Sequence, residues 1–189
     1  MTNNTVEARR AVFLDRDGVL NQVVIRGGKP FPPSSADNVE LIPGVTEACA
    51  SLRKAGALLF CVTNQPDVAR GTARREDIMA INLRLQRELS LDDVATCYHD
   101  DGDGCACRKP KPGMLIELAF RHSVNLSRSV MVGDRWRDVE AGINAGCQTV
   151  FIDYDYNEQR PANVDFAGRS LTEVLPWILK NFLNTESFF

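Results

Sequence analysis

No stretch of the 189-residue chain approaches the run of about 20 apolar residues that a membrane span needs, so a membrane-spanning helix is excluded. The opening residues MTNNTVEARR have no apolar core, which predicts no secretory signal and a cytoplasmic location. A basic surplus is missing too. Twenty-two Lys and Arg face 25 Asp and Glu, for a net charge of −3, with no basic stripe. This argues against nucleic acid and against a membrane surface as partners, while leaving room for a local pocket that takes a small anion. There is no internal repeat, low-complexity run or Gly/Ser linker. One domain over residues 1–189, acting as a monomer, is expected.

The six cysteines would suffice for three disulfides, but their distribution argues otherwise. Cys97, Cys105 and Cys107 crowd beside His99, whereas Cys49, Cys61 and Cys147 lie in apolar stretches. That pattern predicts one metal site plus buried free thiols.

Short apolar runs alternate with helical patterns. RRAVFLD (9–15), ALLFCVTN (57–64), VATCYH (94–99), SVMVGD (129–134) and QTVFID (148–153) read as strands. Residues 44–55, 73–90, 114–123 and 136–145 read as helices, the second with Thr72 as its N-cap. Ser170 and Glu173 form a capping box that opens a last helix, in which Pro176 is a cost without a sequence explanation. Residues 19–42 read as irregular. Strands without alternation, separated by helices, predict an α/β fold: a three-layer, Rossmann-like parallel sheet with helices on both faces. In such sheets ligands bind beyond the carboxyl ends of the strands. Asp15, Thr63 and Asp134 each terminate a different strand there.

Asp15 and Asp17, in FLDRDGVLN, point to one side if the chain stays extended. Two such carboxylates repel unless something neutralises them, and Mg²⁺ with substrate phosphate oxygens would do so. A solvated Asp-Gly turn is the bland alternative. Thr63 and Asn64 offer a hydroxyl and an amide to phosphate oxygens. Arg108, Lys109 and Lys111, in RKPKPGM, bring cations to a helix N-terminus, where anions are favoured. Asp134, in MVGDRWRD, adds a further carboxylate. Asp138 is either a group near the metal or a first-turn carboxylate of a helix.

In this order the motifs resemble the haloacid dehalogenase superfamily of phosphatases, over residues 11–138. The resemblance implies that Asp15 is the nucleophile, forming an aspartyl-phosphate, and that Asp17 is the general acid and base. It implies that the side chains of Asp15 and Asp134, with the main-chain oxygen of Asp17, hold Mg²⁺. Thr63 and Lys109 would neutralise the transferring phosphoryl group.

CYHDDGDGCAC (97–107) places Cys97, His99, Cys105 and Cys107 in one short loop, a donor set suited to tetrahedral Zn²⁺. Four protein ligands leave no open position, so this zinc is expected to be structural. Asp100, Asp101 and Asp103 do not fit an EF-hand and read as a solvated turn. His122 reads as a surface residue.

Superfamily members with a cap domain insert it after the first or second motif; neither gap here holds about 50 residues of separate domain, so a capless, open site is expected. A capless member with such a zinc loop resembles the branch of D,D-heptose 1,7-bisphosphate phosphatases and histidinol-phosphate phosphatases. VTNQPDVARG (62–71) and RKPKPGM are similar to the heptose members, whose 7-phosphate would meet Asp15. The zinc-loop spacer is short, as in the histidinol-phosphate branch, and Pro66-Asp67 and Arg135 replace the more usual Ser-Gly and Lys. On the heptose reading, Arg108 and Arg135 are the candidates for the distal 1-phosphate. A nucleic-acid end phosphatase and a non-catalytic zinc-stabilised module are the competing classes.

Overall fold

Strands that are apolar on both sides require covering layers on both sides, and the computed structural model, which describes residues 9–26 and 29–183, has this build. The chain runs through β1 (Ala11–Leu14), β2 (Val24–Arg26), β3 (Lys29–Phe31), α1 (Val45–Lys54), β4 (Leu58–Asn64), α2 (Arg75–Glu88), β5 (Asp93–Cys97) and α3 (Gly113–His122). It continues through β6 (Val130–Gly133), α4 (Trp136–Ala145), β7 (Gln148–Ile152), β8 (Phe166–Gly168) and α5 (Leu171–Leu183). Six strands form one parallel sheet in the order β5-β4-β1-β6-β7-β8. The sequence order reverses on either side of β1, so the crevice opens beyond Leu14, between the ends of β4 and β6.

Alternate strand residues enter two separate cores. Val12, Leu14, Leu59, Cys61, Val130 and Val132 pack with α1, α2 and α5, whereas Phe13, Phe60, Val62 and Met131 pack with α3. These side chains are at most 1 % exposed, so the middle strands are sealed on both faces. Gly133, at the end of β6, has no room for a side chain: an added Cβ would lie 2.0 Å from Asp138 Cβ. That close approach brings the start of α4 hard against the strand end.

Several expectations need correction. Residues 19–42 are not wholly irregular, because β2 and β3 pair as an antiparallel hairpin. A sixth strand, β8, was not expected; at three residues it is too short to show a pattern. Thr72 does not cap α2, which begins at Arg75 after Arg74; the Thr72 hydroxyl instead donates to the Asp67 carbonyl and closes the preceding turn. The Ser170 hydroxyl does accept from the Glu173 amide, but the Glu173 carboxylate reaches back to Arg169, one residue before the cap. Pro176 lies on the exposed side of α5. Between β1 and β4, and between β4 and β5, the described residues hold no second domain. No helix among them is long and apolar enough to cross a membrane. Phe188-Phe189 lies outside the described residues.

Candidate active site

The carboxyl ends of β1, β4 and β6 meet at a cleft of about 480 Å³ that Asp15, Asp17, Thr63, Lys109 and Asp134 all line. Asp15 follows β1 directly, and its amide donates to the Val132 carbonyl at 2.9 Å, which fixes it against β6. Lys109 Nζ lies 2.6 Å from Asp15 Oδ1, 2.5 Å from Asp138 Oδ1 and 2.7 Å from the Val62 carbonyl. This lysine is 2 % exposed and cannot be the solvated loop residue that sequence left possible. Burial pulls its pKa down, but the carboxylates of Asp138 and Asp15 together raise it above its ordinary value, so it stays an ammonium.

Asp138 is a first-turn carboxylate of α4, and it also stands beside Asp15 and Asp134 in a cluster that could hold a metal. Its Oδ2 accepts from the Arg135 amide at the start of α4, and its Oδ1 is paired with Lys109. Only the helix-capping role had a sequence signal; the pairing with Lys109, 29 residues away in the chain, had none.

Asp15, Asp134 and Asp138 present carboxylate oxygens within 4.8 Å of one another. With Lys109 as the one cation among them, two negative charges are uncompensated when all are ionised. Burial, opposed by Lys109 and reinforced by Asp138 and Asp17, pushes the Asp15 carboxyl up to about 7. Burial, with the charges of Asp15 and Asp138, holds Asp134 well above the usual carboxylate range. Asp134 Oδ1 is buried and has no hydrogen-bond partner in the structure. An orphaned carboxylate oxygen in an under-neutralised, oxygen-only cluster is what a hard divalent cation such as Mg²⁺ would satisfy. Gly18, at φ +93°, makes the opposite wall; a Cβ there would lie 2.2 Å from Asp134 Oδ2.

Asp17 also faces the cleft but is held differently. Its Oδ2 accepts from Arg16 Nη2 at 2.8 Å and Gln65 Nε2 at 2.8 Å, and its Oδ1 accepts from Asn21 Nδ2 at 3.0 Å. Arg16 is fully buried and also donates to Asn82 of α2, which in turn donates to Thr96 of β5. Sequence reasoning missed this chain, since an arginine between two aspartates reads as solvated charge. Thr63 Oγ1 accepts from Gln65 Nε2, leaving its own proton to donate. Asn64, expected to meet phosphate oxygens, bonds the Lys109 main chain with both ends of its amide, at 3.1 Å each. It therefore positions the lysine.

The other predicted cluster is also assembled. Cys97, His99, Cys105 and Cys107 converge, with Sγ···Sγ separations of 3.3, 3.5 and 3.7 Å and His99 Nδ1 3.3 Å from Cys107 Sγ. Tetrahedral zinc with Zn–S of about 2.3 Å requires sulfurs about 3.8 Å apart, so the donors fit. Cys49, Cys61 and Cys147 are buried free thiols, and burial pushes Cys49 and Cys147 up to about 12. Such thiols are not nucleophiles.

Three further expectations change. Asp100 and Asp101 are not merely solvated: Arg70 holds Asp100 through two bonds at 2.8 and 2.6 Å, and Arg108 Nε donates to Asp101 at 2.8 Å. Arg135, a candidate for the distal phosphate, is already bound to Glu158 through two guanidinium N–H groups. His122 is half-buried, bonded to Asp93 at 2.8 Å and packed on Phe60. Beyond these, Tyr154 of the β7–β8 connection donates to the Gly18 carbonyl at 3.0 Å and ties that loop to the site.

A family profile described as HAD-hydrolase-like matches residues 106–174. The D-glycero-beta-D-manno-heptose-1,7-bisphosphate 7-phosphatase of Helicobacter pylori is 31% identical over 92% of this chain and 99% of its own length. The enzyme of the same name from Bordetella bronchiseptica is 38% identical over 73% of this chain and 77% of its own. A crystal structure of D,D-heptose 1,7-bisphosphate phosphatase from B. bronchiseptica with magnesium and phosphate superposes with a TM-score of 0.77. It is 31% identical, covering 91% of this chain and 98% of that one.

Proposed function

Because the chain belongs to the haloacid dehalogenase-like hydrolases, in the family of D-glycero-D-manno-heptose-1,7-bisphosphate 7-phosphatases, we propose that it removes the 7-phosphate of that sugar bisphosphate through a covalent phosphate on Asp15. The observation that carries the reading is the buried Asp15–Lys109–Asp138 array, open to the cleft and next to the unpartnered Asp134 oxygen.

The steps follow from the residues. An Asp15 oxygen attacks the 7-phosphorus as the bond from phosphorus to the sugar oxygen breaks. Asp17 gives its proton to that departing oxygen. A water then attacks the phosphorus of the aspartyl-phosphate, Asp17 takes the water's proton, and phosphate leaves with Asp15 restored. Lys109 and the Thr63 hydroxyl stabilise the equatorial oxygens, and Asn64 and Asp138 keep Lys109 in place. Asp15 and Asp134, with the Asp17 main-chain oxygen, would hold Mg²⁺, which supplies charge neutralisation and orients the phosphate. Cys97, His99, Cys105 and Cys107 would hold a structural Zn²⁺ that pins the loop leading into Arg108 and Lys109.

On this reading the protein works as a monomer in the cytoplasm, on a small metabolite and not on nucleic acid. The buried free thiols support a reducing compartment. Arg108 is the cation for the distal 1-phosphate, and Arg135, already paired with Glu158, orders the rim. The test is kcat/KM for heptose 1,7-bisphosphate against histidinol phosphate, with Asp15→Asn as control. A preference for the heptose bisphosphate, and a folded but inactive Asp15→Asn protein, are expected. A preference for histidinol phosphate, or turnover without Asp15, would overturn the proposal.

A further inference from the structure

Arg137 is part of a sequence motif whose other charged members have roles, yet it has none in the chemistry above. It lies in the first turn of α4, one residue before Asp138, and lines the cleft with Arg108. Its guanidinium sits 5.1 Å from the centre of the Trp136 ring, which limits the directions it can take. Arg108 arrives from the zinc loop with its side chain only 9 % exposed, further tied to the His99 carbonyl at 3.2 Å. The two arginines converge on a single acceptor. Asp101 Oδ1 receives Arg108 Nε at 2.8 Å and Arg137 Nη1 at 3.4 Å. The Asp101 side chain is itself 61 % exposed.

Two guanidinium groups on one largely exposed carboxylate oxygen carry a surplus positive charge, and an exposed carboxylate is held weakly. A phosphate dianion offers more charge and more acceptor oxygens to the same two forks. We infer that Arg137 and Arg108 together form the anchor for the phosphate not attacked, and that Asp101 occupies this anchor as an internal anion which the substrate displaces. The inference rests on the bisphosphate reading given above and adds two specificity-determining residues to it. Arg135 contributes little to this anchor because Glu158 already neutralises it.

The two residues should therefore act in opposite directions. Arg137→Ala is expected to lower kcat/KM for heptose 1,7-bisphosphate by about ten- to a hundredfold, mostly through KM, with partial recovery in Arg137→Lys. Asp101→Asn removes the competing charge and keeps the shape. It is expected to lower KM for the bisphosphate by about two- to fivefold. Both variants should hydrolyse p-nitrophenyl phosphate, which has no second phosphate, as the unmodified protein does. Zinc content and melting temperature confirm that the loop is intact.

Comparable losses on both substrates in Arg137→Ala, or a raised bisphosphate KM in Asp101→Asn, would overturn the inference, since they would mark the pair as a structural tie. If the unmodified protein shows no preference for the bisphosphate, the substrate reading falls and the inference with it. If that preference exists and Arg137→Ala leaves it untouched, only the inference falls.

Discussion

Asp138 separates two accounts of the site at the level of single residues. As a helix cap alone, its replacement by Asn would change little, because the Asn side-chain oxygen still accepts from the Arg135 amide. As the second anion on Lys109, its loss lets the ammonium settle wholly on Asp15, where it damps the nucleophile. Asp138→Asn is therefore expected to lower kcat by about a hundredfold with the fold retained; activity within a few-fold of the unmodified protein would leave only the cap.

The raised pKa of Asp15 makes the stability of the metal-free protein depend on pH. Its folded value of about 7 lies above the ordinary 3.8, so without metal the folded state holds a proton that the unfolded chain has lost. The stability this contributes is complete below the ordinary value and disappears as pH rises through about 7. Magnesium, which favours the ionised carboxylates, should then raise the melting temperature more at pH of about 8 than at about 5. A magnesium effect equal at both pH values, or larger at the lower one, would contradict this.

Among elements, the site is an assembly of ends. The strand termini supply Asp15, Thr63 and Asp134, and those positions were legible because an apolar run that stops at a polar residue marks both the strand and its edge. The beginning and end of α4 were equally legible, since Gly146 closes it in the left-handed region at φ +80°. Partners fixed by folding were not legible: Arg16 with Asn82, Asn64 with the Lys109 main chain, and Arg135 with Glu158 join segments that no periodicity connects.

The zinc loop shows the same division. Its four donors can be read from spacing, but the anchoring of Asp100 and Asp101 by arginines cannot. That anchoring makes the loop part of the active-site wall. Removing zinc with a tight chelator should lower the melting temperature and, through displaced Arg108 and Lys109, the activity, with one equivalent of zinc per chain released. Full activity in zinc-free protein would show the loop to be self-supporting.

For the whole molecule, what matters is that, among the described residues, no separate domain covers the cleft. The described residues put the β2–β3 hairpin, the turn before α2, the zinc loop, the start of α4 and the β7–β8 connection around its mouth. Specificity therefore has to come from rim side chains, and the rim carries Arg70 and Arg135, each paired with its own acid, and Arg108 and Arg137, which share Asp101. An overall charge of −3 conceals this local arrangement. The parallel sheet and its two covering layers followed from strand composition, whereas β8 and the hairpin, three residues per strand, were beyond pattern.

In the proposed mechanism Asp15 carries the phosphoryl group between the two half-reactions. Acid quenching of the magnesium-loaded enzyme within one turnover of substrate radiolabelled at the 7-phosphate, followed by reduction with borohydride and peptide mapping, tests it directly. A labelled acid-stable protein fraction that chases to free phosphate is expected, with Asp15 as the residue converted by reduction. Conversion at Asp17 or Asp134 instead, or phosphate released in the first turnover with no labelled protein at any time, would contradict it.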